Sequence, residues 1–389
     1  MEHFVKRPDL KVGIVTLPLW GNYGGILQAY GLREVCERLL FHAKIIQITP
    51  NDALTAEYSQ LSVYRKFKCQ LGRLLINCCP LPFAPSYVLR NLGESAITFC
   101  DRVVPSTRIA ENDFQASAFI VGSDQVWRRR YVGDNLPRYF LSDFSASQRQ
   151  KSVSYAASFG TEEWGGSLEE TKRCRELLQQ FKAVSVRELS GIRICKEVFG
   201  VEAVQMPDPT LLATLDDYER IIISENTCTP RRPFIASYVL DDSGETSNWE
   251  RELKQRTGLC HQRLVPKSSA LKHGDRFYCT VPQWLRYMRD CEAVVTDSFH
   301  GCVFSIIYNK PFVCLGNEGR GMARFDTLLK TFGLEDRLVL SREPGEVLRV
   351  LHTPIDWERV NAIHESERQR GLDFLRNNLY DDASLGLHE

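Results

Sequence analysis

The sequence carries no net charge, because 49 lysines and arginines balance 49 aspartates and glutamates over 389 residues. No overall field therefore favours wrapping a polyanion such as nucleic acid, and any anion site has to be local. No apolar run reaches the roughly 18 residues of a membrane span, and the opening MEHFVKRPDLK has charges where a secretory leader needs an apolar stretch. A cytoplasmic chain is expected. The 13 cysteines are an odd number and form no CxxC pair, which argues against a zinc ribbon and against a disulfide framework. No metal site is expected. Buried, reduced thiols are the expected state of the cysteines, the adjacent Cys78 and Cys79 included.

What is present is ordinary globular composition, 43% hydrophobic and 25% charged, in a chain longer than one core normally serves. Two domains are expected. Short β-branched runs alternate with helical patterns: VGIVTL from Val12, KIIQIT from Lys44, AFIVGS from Ala118, SVSYAAS from Ser152 and AVSVRE from Ala183. This alternation predicts an α/β fold of parallel sheets with crossover helices, in two Rossmann-like domains. The first crossover is the clearest, with ILQAYGLREVCERLL following the loop Gly21 to Gly25. The two prolines of MPDPTLL and the irregular ERIIISENTCTPRRP mark a boundary. Strands resume with PFIASYVL, AVVTDSF and PFVCLG. The expected organisation is a first domain over 1–207, a linker over 208–232, a second domain over 233–352, and a terminal helix over 353–389 that packs across the junction. Its predicted buried side is Trp357, Val360, Ile363, Leu372 and Leu375.

Ligands of open α/β sheets bind beyond the carboxyl ends of the strands, where helix N-termini favour anions. Three loops fall there. The glycines of the first, Gly21 to Gly25, would bring backbone N–H groups near a phosphate or carboxylate, with Asn22 and Gln28 to read hydroxyls. This loop has neither GxGxxG nor GxxxxGK[ST], and a purely structural turn would use the same glycines. In the second, IVGSDQVW, Ser123 or Asp124 would cap a following helix whether or not a ligand binds. The third, VVTDSFHG, places His300 where strand meets helix, as a titrating group facing the crevice or as a structural histidine partnered by Asp297 and Ser298. Arg187, Arg320 and Arg324 stand at strand ends, where guanidinium groups would bind phosphate or carboxylate.

LPLWGNYGGILQAYGL, VGSDQVW, SYAASFG, VSVRE, DPTLL, TDSFHGCVFSIIYNKPF, RGMARF and FGLEDRL occur in one order over most of the chain, and together they resemble the polysaccharide pyruvyl transferase family. The resemblance implies a fold similar to GT-B glycosyltransferases. It implies transfer of pyruvate from phosphoenolpyruvate to a sugar as a ketal, with release of phosphate, in surface polysaccharide biosynthesis such as that of capsule or exopolysaccharide. Phosphoenolpyruvate is then a co-substrate, and no cofactor or nucleotide is implied. Arg187 and His300 match motif positions implied in donor binding or catalysis. An arginine two residues before the histidine is replaced here by Ser298, so a phosphate contact would come from Arg320 or Arg324, with Ser123 nearby. The chemistry asks for an acid, for which His300 is the candidate, and for a carboxylate base, Asp124 or Asp297. Asn22, Tyr23, Gly24, Gly25 and Gln28 form the expected acceptor or anion loop.

Two other readings share this architecture: a glycosyltransferase with a nucleotide-sugar donor, and a non-catalytic glycan- or phosphate-binding module. Residues 58–93 contain no acidic residue but include Arg65, Lys66, Lys68, Arg73 and Arg90. They are a candidate for peripheral contact with an anionic membrane face carrying a lipid-linked acceptor, or a helix with a solvated basic side.

Overall fold

A computed structural model describes residues 11–19, 22–48, 103–105, 116–225, 230, 232–241, 246–265, 279–316 and 321–380. Arg320, Cys78, Cys79 and the basic segment 58–93 lie outside the described residues.

The first sheet contains β1 (Lys11–Thr16), β2 (His42–Gln47), β3 (Val103–Pro105), β4 (Ala118–Val121), β5 (Val153–Ala157), β6 (Ala183–Val186) and β7 (Val204–Gln205). Its order is β3-β2-β1-β4-β5-β6-β7, parallel throughout. The second contains β8 (Phe234–Tyr238), β9 (Cys260–Arg263), β10 (Ala293–Thr296), β11 (Phe312–Leu315) and β12 (Leu338–Val339), in the order β12-β11-β10-β8-β9, again parallel. Strands β1, β4, β5, β8, β10 and β11 are almost wholly buried, which is why they read as continuous apolar runs in the sequence. The order reverses direction between β1 and β4 in one sheet and between β8 and β10 in the other. Crevices open at such switch points.

Helix α1 (Tyr23–Arg38) follows β1, and α2 (Leu168–Leu178) and α3 (Leu189–Ile194) flank β6. The part of the segment read as a linker that is described without a break, residues 208–225, holds regular elements instead: Pro209–Leu211 form a helical turn and α4 spans Leu215–Ile223. A capping box starts α4, with the Thr214 hydroxyl accepting from Asp217 N and the Asp217 carboxylate accepting from Thr214 N. Helix α4 then joins both halves. Asp217 pairs with Arg38 of α1, while the Tyr218 ring meets Phe304 edge-on at 5.0 Å.

In the second half, α5 spans Thr246–Thr257, α6 Val281–Asp290, α7 Phe299–Ile307, α8 Ala323–Phe332 and α9 Pro344–His352. The last helix, α10 (Trp357–Leu379), follows the second sheet in sequence but is tied to the first. His364 Nε2 lies 2.9 Å from the Leu211 carbonyl, Arg368 donates to the Leu212 carbonyl, and Arg370 donates to Gln205 Oε1. Gly371 is required at its place because a Cβ there would stand 2.4 Å from the Tyr155 hydroxyl. Val360 and Leu375 are buried as expected, joined by Phe374 and Leu379, while Trp357, Ile363 and Leu372 are partly buried against the same core. All eight described cysteines are free thiols and seven of them are buried. Among the described residues, no helix is long and apolar enough to cross a membrane.

Candidate active site

The loops after β1, β4, β8 and β10 surround a cleft of about 640 Å³ between the two sheets. Two helix N-termini point into this region, those of α1 and α7. Their first turns are packed against each other. A Cβ at Gly24 would stand 2.0 Å from His300 Nδ1, so only glycine lets the imidazole lie on the start of α1.

His300 is nearly buried, and its Nε2 faces Asp208 Oδ2 at 3.6 Å. Asp208 is wholly enclosed, and its Oδ1 accepts from the Thr210 amide at 2.9 Å and hydroxyl at 2.7 Å. Its Oδ2 lies 3.0 Å from an Arg187 Nη, and Arg187 also reaches to 3.9 Å from Asp124 Oδ1. Burial alone would raise the Asp208 pKa. The charge of Arg187, followed by His300 and Thr210, outweighs burial and holds the carboxyl well below the usual range. Arg187 is buried with Nε and both Nη atoms making no hydrogen bond among the described residues.

Arg324, in the first turn of α8, lines the cleft beside Ser298, Phe299 and His300. Both arginines approach the Phe299 ring, Arg187 at 5.1 Å and Arg324 at 5.6 Å from its centroid. Burial, and next the like charge of Arg187, lower the Arg324 pKa against the opposing pull of Asp124, Glu188 and Tyr131. Two guanidinium groups close enough to repel, beside two helix N-termini, make a strongly anion-seeking centre. Glu188, missed in the sequence, is fully buried and accepts from the amides of Phe159 and Gly160 at 2.7 and 3.0 Å.

The sequence-predicted residues divide by geometry. Asn22, Gly25, Asp124, Asp297, Ser298, His300 and Arg324 line the cleft. Arg187 faces a smaller recess behind Phe299, beside Asp208. Gln28 is fully buried as a brace: its Nε2 donates to Thr16 Oγ1 and the Gly25 carbonyl, and its Oε1 accepts from the Ser123 amide and hydroxyl. Gln28 therefore does not read an acceptor hydroxyl, and Ser123 supports the loop from inside. Tyr23 likewise leaves the acceptor loop for the junction, where it stacks on Trp284 at 5.5 Å and its hydroxyl donates to the Cys279 carbonyl. Asp297 accepts from the Leu240 and Asp241 amides at 2.7 and 2.9 Å, one on each oxygen, and so holds the loop after β8. Asp124 takes φ +57° at the end of β4, and its Oδ2 points toward Gly25. The sequence reading assigned no role to Asp208 or Phe299, although DPTLL and SFHG contain them.

A family model described as polysaccharide pyruvyl transferase matches residues 22–319. A comparison with curated proteins found no match. Among solved structures, the chain is similar to the Staphylococcus aureus MnaA–UDP co-structure, at 11% identity, with a TM-score of 0.52, covering 95% of this chain and 97% of that one. It is also similar to UDP-GlcNAc 2-epimerase from Methanocaldococcus jannaschii, at 10% identity and TM-score 0.53, over 94% of this chain and 99% of that one. At such identity these likenesses establish the fold alone, a two-domain GT-B-like α/β architecture. The family match covers most of the chain and includes Asn22, Gly25, Asp124 and the His300 loop of the cleft, and on that ground the chain belongs to the polysaccharide pyruvyl transferase family.

Proposed function

We propose that the protein transfers the enolpyruvyl carbons of phosphoenolpyruvate to a sugar of a glycan acceptor, closing a pyruvate ketal and releasing phosphate. The observation that carries this reading is the convergence of His300, Arg324 and two helix N-termini on one cleft, with Arg187 and Asp208 buried behind it. A donor with a phosphate and a carboxylate needs that density of positive charge, and its methylene carbon needs an acid.

In this scheme Arg324 and the first amides of α7 hold the donor's anionic groups. Asp208 orients the His300 ring through Nε2, and the proton on Nδ1 goes to the donor's methylene carbon. The C–O carbon becomes oxocarbenium-like and a sugar hydroxyl attacks it as Asp124 accepts the hydroxyl proton. The phosphate departs with its C–O electron pair as a second hydroxyl of the same sugar takes its place on that carbon, and the second hydroxyl's proton leaves with the phosphate. The proton held by Asp124 returns through solvent to His300, so atoms and charge balance over the cycle. Arg187 keeps Asp208 ionised and adds positive potential behind Phe299. Asp297 is left as a loop brace. The acceptor is lipid-linked in this reading, and phosphoenolpyruvate is consumed without a cofactor.

The test is incubation with phosphoenolpyruvate and a panel of lipid-linked and free oligosaccharides, scoring phosphate release and added pyruvate mass. The expected result is acceptor-dependent release, lost by roughly 100-fold or more in His300→Gln. Turnover of a nucleotide sugar without use of phosphoenolpyruvate would refute the proposal.

A further inference from the structure

The two walls of the cleft differ in chemistry. Among the described lining residues, the cation is Arg324, on the second-sheet wall with His300. The first-sheet wall is built from Leu17, Pro18, Ile48, Tyr131, Val132 and Tyr139, with Asn22, Asp124, Gln125 and Asn135 as its polar groups and no cation among the described residues. An anionic donor gains nothing from the second set. A sugar does, because a pyranose presents a face of C–H bonds to apolar surface and a rim of hydroxyls to amides.

Tyr131 stands out on that wall. It is 52% exposed, while most large rings among the described residues are buried, and it lines the cleft. Its ring is held from behind. The Arg128 guanidinium sits 4.8 Å from the ring centroid, and its Nη1 donates to the Tyr131 hydroxyl at 3.3 Å and to Gln125 Oε1 at 2.7 Å. Arg128 itself is buried, and Gln125 directly follows Asp124. One face of the ring is thus covered by a fixed cation while the ring remains half exposed. Rigid aromatic surface beside a reaction centre lowers the entropy lost on binding. Tyr131 is also close enough to Arg324 to influence its ionisation, so whatever lies on the ring adjoins the anion-binding wall.

Building on the transfer reaction above, we propose that Tyr131 is the stacking platform for the acceptor sugar. A pyranose lies on the ring face opposite Arg128. Asn135, half-buried on the same wall, reads a ring hydroxyl, and Asp124 lies at the seam of the two walls to take a proton from the hydroxyl turned toward the donor. The chemical class of ligand is a neutral hexopyranoside, free of phosphate on the ring that reacts.

Saturation-transfer NMR on the full chain tests this with methyl glycosides of galactose, mannose, glucose and N-acetylglucosamine as probes, alongside phosphoenolpyruvate titrations. The wild type should saturate the ring protons of at least one glycoside. Tyr131→Ala should weaken that glycoside by about 10-fold, the worth of one aromatic contact, with phosphoenolpyruvate affinity unchanged. Tyr131→Phe, which keeps the ring, should bind the glycoside as the wild type does. Equal glycoside binding by wild type and Tyr131→Ala overturns the platform. So does a wild type that binds phosphoenolpyruvate and none of the glycosides. A wild type that binds a glycoside through Tyr131 but never binds phosphoenolpyruvate leaves the platform standing and removes the donor reading.

Discussion

Asp208→Asn is the most informative perturbation of the buried ionic cluster. The substitution preserves an oxygen for the two Thr210 donors but replaces the charge that faces Arg187 at 3.0 Å with an amide. Arg187 would then be left inside the protein with Asp124, 3.9 Å away, as its remaining counter-charge. Breaking a buried pair costs about 3–5 kcal/mol, and the residual Asp124 contact places this case near the lower figure, about 3 kcal/mol. The measurement is urea unfolding followed by tryptophan fluorescence. Arg187→Met should cost a similar amount, since it strands Asp208. The Arg187→Met/Asp208→Asn double variant should lose no more than either single change, because neither buried charge is then left without its partner and Asn still accepts from Thr210. The pH dependence follows from the depressed Asp208 pKa. Its contribution is present above the unfolded carboxyl value of about 4 and is lost as pH falls below it, so the wild-type advantage over Asp208→Asn should narrow in acid. Losses in the two single variants that add within about 0.5 kcal/mol in the double would refute the coupling.

Gly24→Ala should fold, yet lose turnover by roughly 100-fold, because a methyl 2.0 Å from Nδ1 must push His300 off the start of α1 and remove the general acid from its place. A crystal structure of the variant with His300 unmoved, or undiminished turnover, would contradict this. Arg324→Met should raise the Michaelis constant for phosphoenolpyruvate by about 30-fold, the loss of roughly 2 kcal/mol from one charge-assisted contact to an anion. Steady-state kinetics at saturating acceptor checks it, and an unchanged constant would take Arg324 out of the donor site.

The buried strands were legible because a parallel sheet covered on both faces demands unbroken apolar runs, as in AFIV and AVVT. The strands not foreseen, Val103–Pro105, Val204–Gln205, Cys260–Arg263 and Leu338–Val339, include both edges of each sheet. Edge strands are short and half-solvated, so they lack the apolar signal that marks the centre. Helix α4 was missed for a related reason: the prolines before it read as a break, while its stability comes from the Thr214 capping box and from packing against the second half.

The sequence by itself determined the two-sheet architecture, the placement of His300 and Asp124 at strand ends, and the family, since these depend on local pattern and on motifs in a fixed order. Tertiary structure alone decided which of those residues meet. Gly24 touches His300 across 276 positions of chain, and Asp208, from a segment that read as a linker, holds both Arg187 and His300. Gln28, Tyr23 and Asp297 carry the same polar groups that would suit a ligand, but folding gives those groups internal partners. A side chain's chemistry is written in the sequence; whether its hydrogen-bonding groups remain for a substrate depends on what the packed chain brings within about 3 Å of them.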